Sequence, residues 1–397
     1  MPPAPLSLAY YLPQFHAIAE NDAWWGAGFT EWRHLRHARR HYRWQRIRRP
    51  VPPLGHYSLL DGATIELQHR IASDHGIDGF FIWDYWFGNG RRLLERPAQL
   101  ILEQDLRVRY CFAWANHAWL DKRNGRLLQA QHYLGRDDYR RYFYAKLPHF
   151  WREGYIRVEG RPVLGVFKPA DIPDLPVFVE TLQELAIREG LPGLYLLADN
   201  THPDSPQARW FERCYDSSAF LQRHCLHGPL DRLRSHLARR WQRHGLGPVT
   251  YDYRRMAEVL TAAHPRQLPI LLTGWDTTPR HGERGVVTRH FGVETLRAHL
   301  RHIGEQLERQ AGPPLLIIKS WNEWAEGNLL EPDDQFGYRL LETYRDWLAE
   351  REARPQRSLP EGFRAERPAR GDAPMAPGRV YTAGPVSPDE PAPCPKR

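Results

Sequence analysis

Two glutamates three residues apart, Glu323 and Glu326, stand between two indoles and an amide in the stretch LLIIKSWNEWAEGNLLEPD, residues 315–333. Paired carboxylates can divide acid and base work between them, and tryptophan faces suit sugar rings, so this grouping points to chemistry on a glycosidic bond. Glu-x-x-Glu by itself also occurs on solvated helices. Trp321 and Trp324 are what set this instance apart, because large rings rarely decorate a solvated face. The two acids share a face if the turn carrying them is helical.

The run Leu315–Ile318 just before them has the length and composition of a strand buried on both faces. Other apolar runs of this kind recur: Leu6–Leu12, Gly79–Trp83, Arg109–Trp114, Val163–Phe167, Leu194–Ala198, Ile270–Thr273 and, more weakly, Cys214–Phe220. Amphipathic stretches lie between most of them: Thr64–Asp74, Leu93–Gln104, Asp137–Phe150, Pro176–Glu189, Tyr253–Ala263 and Val293–Gln310. Eight strands alternating with helices predict an α/β fold, a (β/α)₈ TIM barrel with long βα loops. Polar and aromatic residues gather at or just after the strand ends, where such a barrel builds its site. The candidates for substrate binding are Tyr11, Trp24, Trp25, Trp83, Asp84, Tyr85, Trp86, Trp114, Asn116, Asp199, Trp275, Asp276, Trp321, Asn322 and Trp324. Each Asp or Asn among them could equally cap a helix, and it is their recurrence that favours a shared pocket.

The chain has 397 residues with 15 Trp and 18 Tyr, and a formal net charge of +8 at pH 7. The densest basic cluster, Arg33–Arg49, lies in a long loop (residues 14–53) expected to fold over the mouth of the site. A nucleic acid, an anionic membrane surface, an acidic glycan or plain solvent could each face that cluster. No homeodomain, zinc-finger or RNA-recognition pattern accompanies it, and no nucleic-acid partner is expected. The four cysteines form no metal-binding or disulfide spacing, and no H-E-x-x-H, G-x-G-x-x-G, P-loop or G-x-S-x-G occurs, so neither metal nor cofactor is expected. With no signal-like leader and no long apolar run, the expectation is a cytoplasmic protein without a membrane span. Residues 1–352 are expected to form the barrel. Residues 353–397, rich in Pro, Arg, Gly and Ala, are expected to form a disordered tail.

The motifs YYLPQFHAIAENDAWWGAGFTEW, GIDGFFIWDYWF, RRLLERP, GWDTTPR and WNEWAEGNLLEPD together resemble the WbsX-type glycosyltransferase-like family, related to the endo-α-mannosidases of glycoside hydrolase family 99. The resemblance spans about residues 8–348. It implies a TIM-barrel enzyme acting on an oligosaccharide or polysaccharide, often in assembly of a bacterial surface polysaccharide. It implies that Glu323 takes the proton of the sugar 2-hydroxyl, so that O2 displaces the leaving group through an anhydro sugar. Glu326 would protonate the leaving oxygen and later activate water, and would need a raised pKa. Three readings stay open: a retaining hydrolase or transglycosylase on an α-mannoside-like glycan, a glycosyltransferase in O-antigen, lipopolysaccharide or capsule synthesis, and a non-catalytic glycan-binding barrel. The sequence departs from the family at Asp84, where His is usual, at His117-Ala118, where Glu-Asn is usual, and at Thr277, where Asn is usual.

Overall fold

A computed structural model describes residues 4–121, 125–219, 247–260 and 264–353, with a few positions between 233 and 244. Most of 221–250, a basic stretch by sequence, and all of 354–397 lie outside the described residues. Strands β1 (Leu6–Tyr11), β2 (Gly79–Trp86), β3 (Tyr110–Trp114), β4 (Arg161–Val166), β5 (Tyr195–Ala198), β6 (Arg213–Cys214), β7 (Ile270–Leu272) and β8 (Leu315–Lys319) form one parallel sheet in the order β6-β5-β4-β3-β2-β1-β8-β7. Leu8 pairs with Gly79 on one side and Ile317 on the other, which places the first and last strands side by side. The ring closes where Cys214 bridges Gln267 in parallel and Leu268 N donates to Cys214 O at 2.9 Å. This is the expected eight-stranded barrel.

Strand composition explains the closure. Leu315–Ile318 are fully buried, as a strand covered by helices outside and by side chains within must be. Inside the barrel Phe81 lies so close to Gly165 that an added Cβ would stand 2.3 Å from its ring, so β4 needs glycine there. Outside, helix α3 (Gly62–Asp74) starts at Asp61, whose side chain accepts from Ala63 N at 3.1 Å, and buries Ile65, Gln68, Ile71 and Ala72 at helical spacing. The sulfur of Cys111 is buried in β3, where burial holds its pKa well above the ordinary thiol value.

Two expectations change. Strand β2 runs on to Trp86 rather than stopping at Trp83, because Tyr85 and Trp86 pair antiparallel with Leu93 and Arg92. Strand β6 ends at Cys214, because the chain then bends and Ser217 N binds the Asp199 carboxylate at 2.8 Å. After β5, where no amphipathic stretch stands in the sequence, a 3₁₀ turn, Pro206–Trp210, leads to β6. The loop at 14–53 carries two short helices, α1 (Ala19–Trp25) and α2 (Glu31–His37), and it reaches the carboxyl ends of the strands. There Arg48 donates to the carbonyls of Thr273, Gly327 and Leu329 at 2.7–3.0 Å.

Candidate active site

The Glu-x-x-Glu segment is a tight reversal. Asn322–Glu323 pairs antiparallel with Asn328–Leu329, and a 3₁₀ turn, Trp324–Glu326, joins them. A 3₁₀ turn has three residues per turn, so positions i and i+3 eclipse, and Glu323 and Glu326 emerge together while Trp324 and Ala325 go into the core. Gly327 closes the turn at φ 57°, where an added Cβ would stand 2.7 Å from Asp276 Cβ. The close approach lets Asp276 N donate to Glu326 O at 2.6 Å.

Both carboxylates meet one guanidinium. Arg280, in the short helix α8 (Thr278–His281) after β7, donates through Nη1 to Glu326 and through Nη2 to Glu31 at 2.9 Å and to Glu323 at 3.4 Å. The side chains of Glu31, Glu323 and Glu326 are 4%, 13% and 18% exposed, so the trio sits in a recess rather than in bulk solvent. Burial works against the Arg280 charge, and Glu31, Glu326 and Glu323 more than offset it, raising its pKa well above the arginine value. One guanidinium cannot balance three carboxylates. Burial, and then the charge of Glu326, lift Glu323 to about 8 against the pull of Arg280 and Lys319. Arg280 lies nearer Glu326 than Glu323, so Glu323 is the readier of the two to hold a proton.

Beneath the pair, the barrel interior is polar. Tyr10 OH donates to Asp199 at 2.9 Å, Ser217 Oγ donates to the same oxygen at 2.7 Å, and Lys319 Nζ donates to Ser217 O at 2.9 Å. Burial lifts Asp199 to about 6, against the Lys319 charge. Trp83 stacks on Tyr10 with centroids 4.2 Å apart, and Lys319 lies 5.3 Å from the Trp275 ring. Tyr85 stands edge-on to Trp119 at 5.0 Å, and Trp119 meets Trp24 at 5.8 Å. Burial, and then the Glu323 charge, raise the Tyr85 pKa, which puts that hydroxyl in the field of the trio.

Strand alternation decides the other candidates. On β2, Phe81, Trp83 and Tyr85 point inward, while Asp84 and Trp86 point to helix α5 (Arg136–Phe150). There Asp84 pairs with buried Lys146, and Trp86 Nε1 donates to Asp138 at 3.0 Å. Asp84 and Trp86 are thus corrected from pocket to core. On β1 it is Tyr10 that faces in, whereas Tyr11 OH donates to Gln68 at 2.7 Å behind the sheet. Trp114 Nε1 donates to Trp86 O at 2.9 Å and packs against Tyr142 and Phe178. Asn116 is spent on Lys168, accepting from its N at 2.8 Å and donating to its O at 2.8 Å. Asn322 clamps Leu12 N and O, at 2.7 and 3.1 Å. Trp321 packs on Phe80, and Trp324 Nε1 donates to buried Glu331, so neither indole walls the recess. Asp276 braces the turn, accepting from Gln45 Nε2 at 2.8 Å and Thr278 N at 2.9 Å. Trp25 lies in a neighbouring basic cavity.

Arg280, Glu31, Lys319 and Tyr10 escaped the sequence reading. Glu31 and Arg280 stand in GFTEW and GWDTTPR, two of the motifs that carry the family resemblance, and strand parity singles out Tyr10 over Tyr11. Among the described residues no three His, Cys, Asp or Glu side chains are placed to hold a metal ion, and no helix is long and apolar enough to cross a membrane. The cation among the carboxylates is Arg280.

Fold and rim define a (β/α)₈-barrel protein with paired acids at the carboxyl ends of its strands. The chain belongs to the family described as glycosyltransferase WbsX, whose profile matches residues 7–344. It is 31% identical over 353 residues to an uncharacterized protein, WxcX, of Xanthomonas campestris pv. campestris strain B100, and equally to the WxcX of strain ATCC 33913. The match covers 86% of this chain and 49% of each relative, so the chain spans about half their length. Among solved structures it is similar to a GH99 endo-α-mannosidase from Bacteroides thetaiotaomicron, with TM-score 0.51, 15% identity, and 87% of this chain and 97% of that one covered. It is also similar to a glycoside hydrolase-like protein, with TM-score 0.53, 12% identity, and 87% and 94% covered. At such identities the structural likeness speaks for the fold.

Proposed function

We propose that the protein is a retaining glycoside hydrolase or transglycosylase that cleaves an α-mannoside-like linkage with Glu323 and Glu326. What carries this reading is the clamp: one arginine gathers two eclipsed glutamates, and burial raises the proton affinity of Glu323 beside an arginine-paired Glu326. The endo-α-mannosidase among the fold neighbours suggests the mannoside, and membership of a family described as glycosyltransferase suggests the sugar chemistry.

In this reading Glu326 takes the proton of the sugar 2-hydroxyl as O2 attacks the anomeric carbon. The bond to the leaving oxygen breaks, and the proton of Glu323 goes to that oxygen. Water, or a second sugar hydroxyl, then opens the anhydro ring at the same carbon, giving its proton to Glu323 while Glu326 returns its own to O2. Two inversions retain the configuration, and both acids end as they began. Tyr85 and Trp83 supply ring faces beside the sugar.

Incubation with α-1,2- and α-1,3-mannosyl oligosaccharides tests this: a reducing sugar of retained configuration is expected. The family's description as glycosyltransferase favours a second reading, transfer from a sugar nucleotide. Consumption of sugar nucleotide with no cleavage of the oligosaccharide would select it. Glycan binding with neither reaction would select a non-catalytic module.

A further inference from the structure

The Arg280 guanidinium has neighbours on both sides. It also lines a cavity of about 470 Å³ between helix α2 with its following loop and the segment 278–283. That is the volume of a pocket for a small ligand or a sugar or two, not of a surface dent. Its walls include Arg33, His37, Arg39 and Arg280, with Trp25 and Phe29 as aromatic surface. Glu283 is the one acidic residue on its lining. Arg33 and Arg39 are exposed, Trp25 is half-buried and Phe29 is buried. Arg33 Nη1 donates to the backbone carbonyl of Trp25 at 2.6 Å, which ties the arginine to the end of α1.

Glu31 and Arg33 both belong to α2, so one short helix presents a carboxylate to the catalytic recess and a guanidinium to this cavity. We infer that the cavity is an adjoining subsite for an anionic substituent of the glycan, a uronic-acid carboxylate or a comparable charged group, held by Arg33 and Arg39 over the Trp25–Phe29 surface. Planar guanidinium groups pair with carboxylates through two parallel hydrogen bonds, and an indole beside them accepts the sugar ring. The basic cluster that composition leaves open between nucleic acid, membrane and acidic glycan thus has a concave face with aromatic lining that shares Arg280 with the recess of the Glu pair. A nucleic-acid strand would instead need an extended basic track. This inference rests on the glycan reading of the recess but not on which reaction the Glu pair performs.

The experiment is binding without turnover, so that failure of catalysis and failure of the subsite are read separately. Full-length Glu326→Gln protein is titrated by calorimetry with α-1,3-mannotetraose and with the same tetraose oxidised at C6 to mannuronate. The oxidised chain is expected to bind roughly tenfold tighter, the scale of one charge-assisted contact. That advantage should vanish when Arg33→Gln and Arg39→Gln are added, and shrink in high salt, while the neutral chain binds as before. Folding of the triple variant is checked by its circular dichroism and by that unchanged neutral binding. Equal affinity for the two chains, an advantage that survives the arginine changes, or tighter binding of a 20-nucleotide single-stranded DNA than of the oxidised chain would each overturn the inference.

Discussion

Glu31 and Arg280 lie 249 residues apart in sequence and form an ion pair of 2.9 Å at the rim of the barrel. Glu31 is the more buried partner, at 4% exposure, and the pair fixes Arg280 so that its other nitrogen faces Glu326. The loop after β1 and the loop after β7 are thereby tied together over the carboxyl ends of the strands. The acid pair is oriented by residues it shares no motif with.

Removing that cation should be costly. Arg280→Ala leaves three carboxylates facing each other in a recess, and the remaining proton affinities rise. Turnover is expected to fall at least about a hundredfold, and the lower limb of the kcat/KM–pH profile should move up in pH as Glu326 becomes harder to ionise. Arg280→Lys keeps the charge but not the fork, so it should recover part of the rate. Steady-state kinetics from pH 4 to 9 decide. An unshifted lower limb in Arg280→Ala would separate the arginine from Glu326.

The two glutamates should be separable by leaving group. A general acid matters little when the leaving oxygen needs no proton. With a mannosyl oligosaccharide, Glu323→Gln is expected to lose roughly 10²–10⁴ in kcat. With a dinitrophenyl α-mannoside kcat/KM should recover most of its loss, since it reads only the cleavage step, while the ring-opening step still lacks its base. Glu326→Gln should stay slow on both substrates. Inverted behaviour would return the acid's role to Glu326, as the family resemblance implies.

The raised Glu323 pKa is also a statement about stability. A carboxyl raised from 4.5 to about 8 binds a proton in the folded state that the unfolded chain has released. Stability is therefore lost as pH rises from the unfolded value through the folded one. Each pK unit is worth roughly 1.4 kcal/mol, so the penalty approaches a few kcal/mol by pH 8. Glu323→Gln carries no such penalty, and its Tm should gain on the parent's steadily between pH 5 and pH 8. Differential scanning calorimetry reads the gap; a constant gap means Glu323 is not the protonated partner.

Asp84 gives a control of opposite kind. It faces α5 and pairs with Lys146, both side chains at most 6% exposed. Asp84→Ala strands a buried ammonium and should cost about 3–5 kcal/mol in urea unfolding, with the KM of the surviving folded fraction unchanged. Adding Lys146→Met should restore most of the stability. A rise in KM at constant stability would put Asp84 back in the pocket.

Much of this arrangement was legible in the chain. Apolar runs marked all eight strands, and Glu323 with Glu326 stood out because the residues after a terminal buried strand must sit at the rim. Which face each residue shows was harder. One miscounted strand end carried Asp84 to the wrong side, since parity alternates at every residue. Trp321 and Trp324 drew notice as bulky rings, yet they fill the volume behind a 3₁₀ turn whose tightness no spacing rule anticipates. Arg280 and Glu31 were invisible as partners because only the closed ring brings residues 31 and 280 together.

The most direct measurement is proton NMR of the anomeric signals while full-length protein acts on an α-mannosyl oligosaccharide, run beside Glu323→Gln and Glu326→Gln. The account predicts that the α-anomer of the new reducing end appears first with the parent protein, and that neither variant releases it at a comparable rate. First appearance of the β-anomer, or release by both variants at the parent's rate, would contradict it.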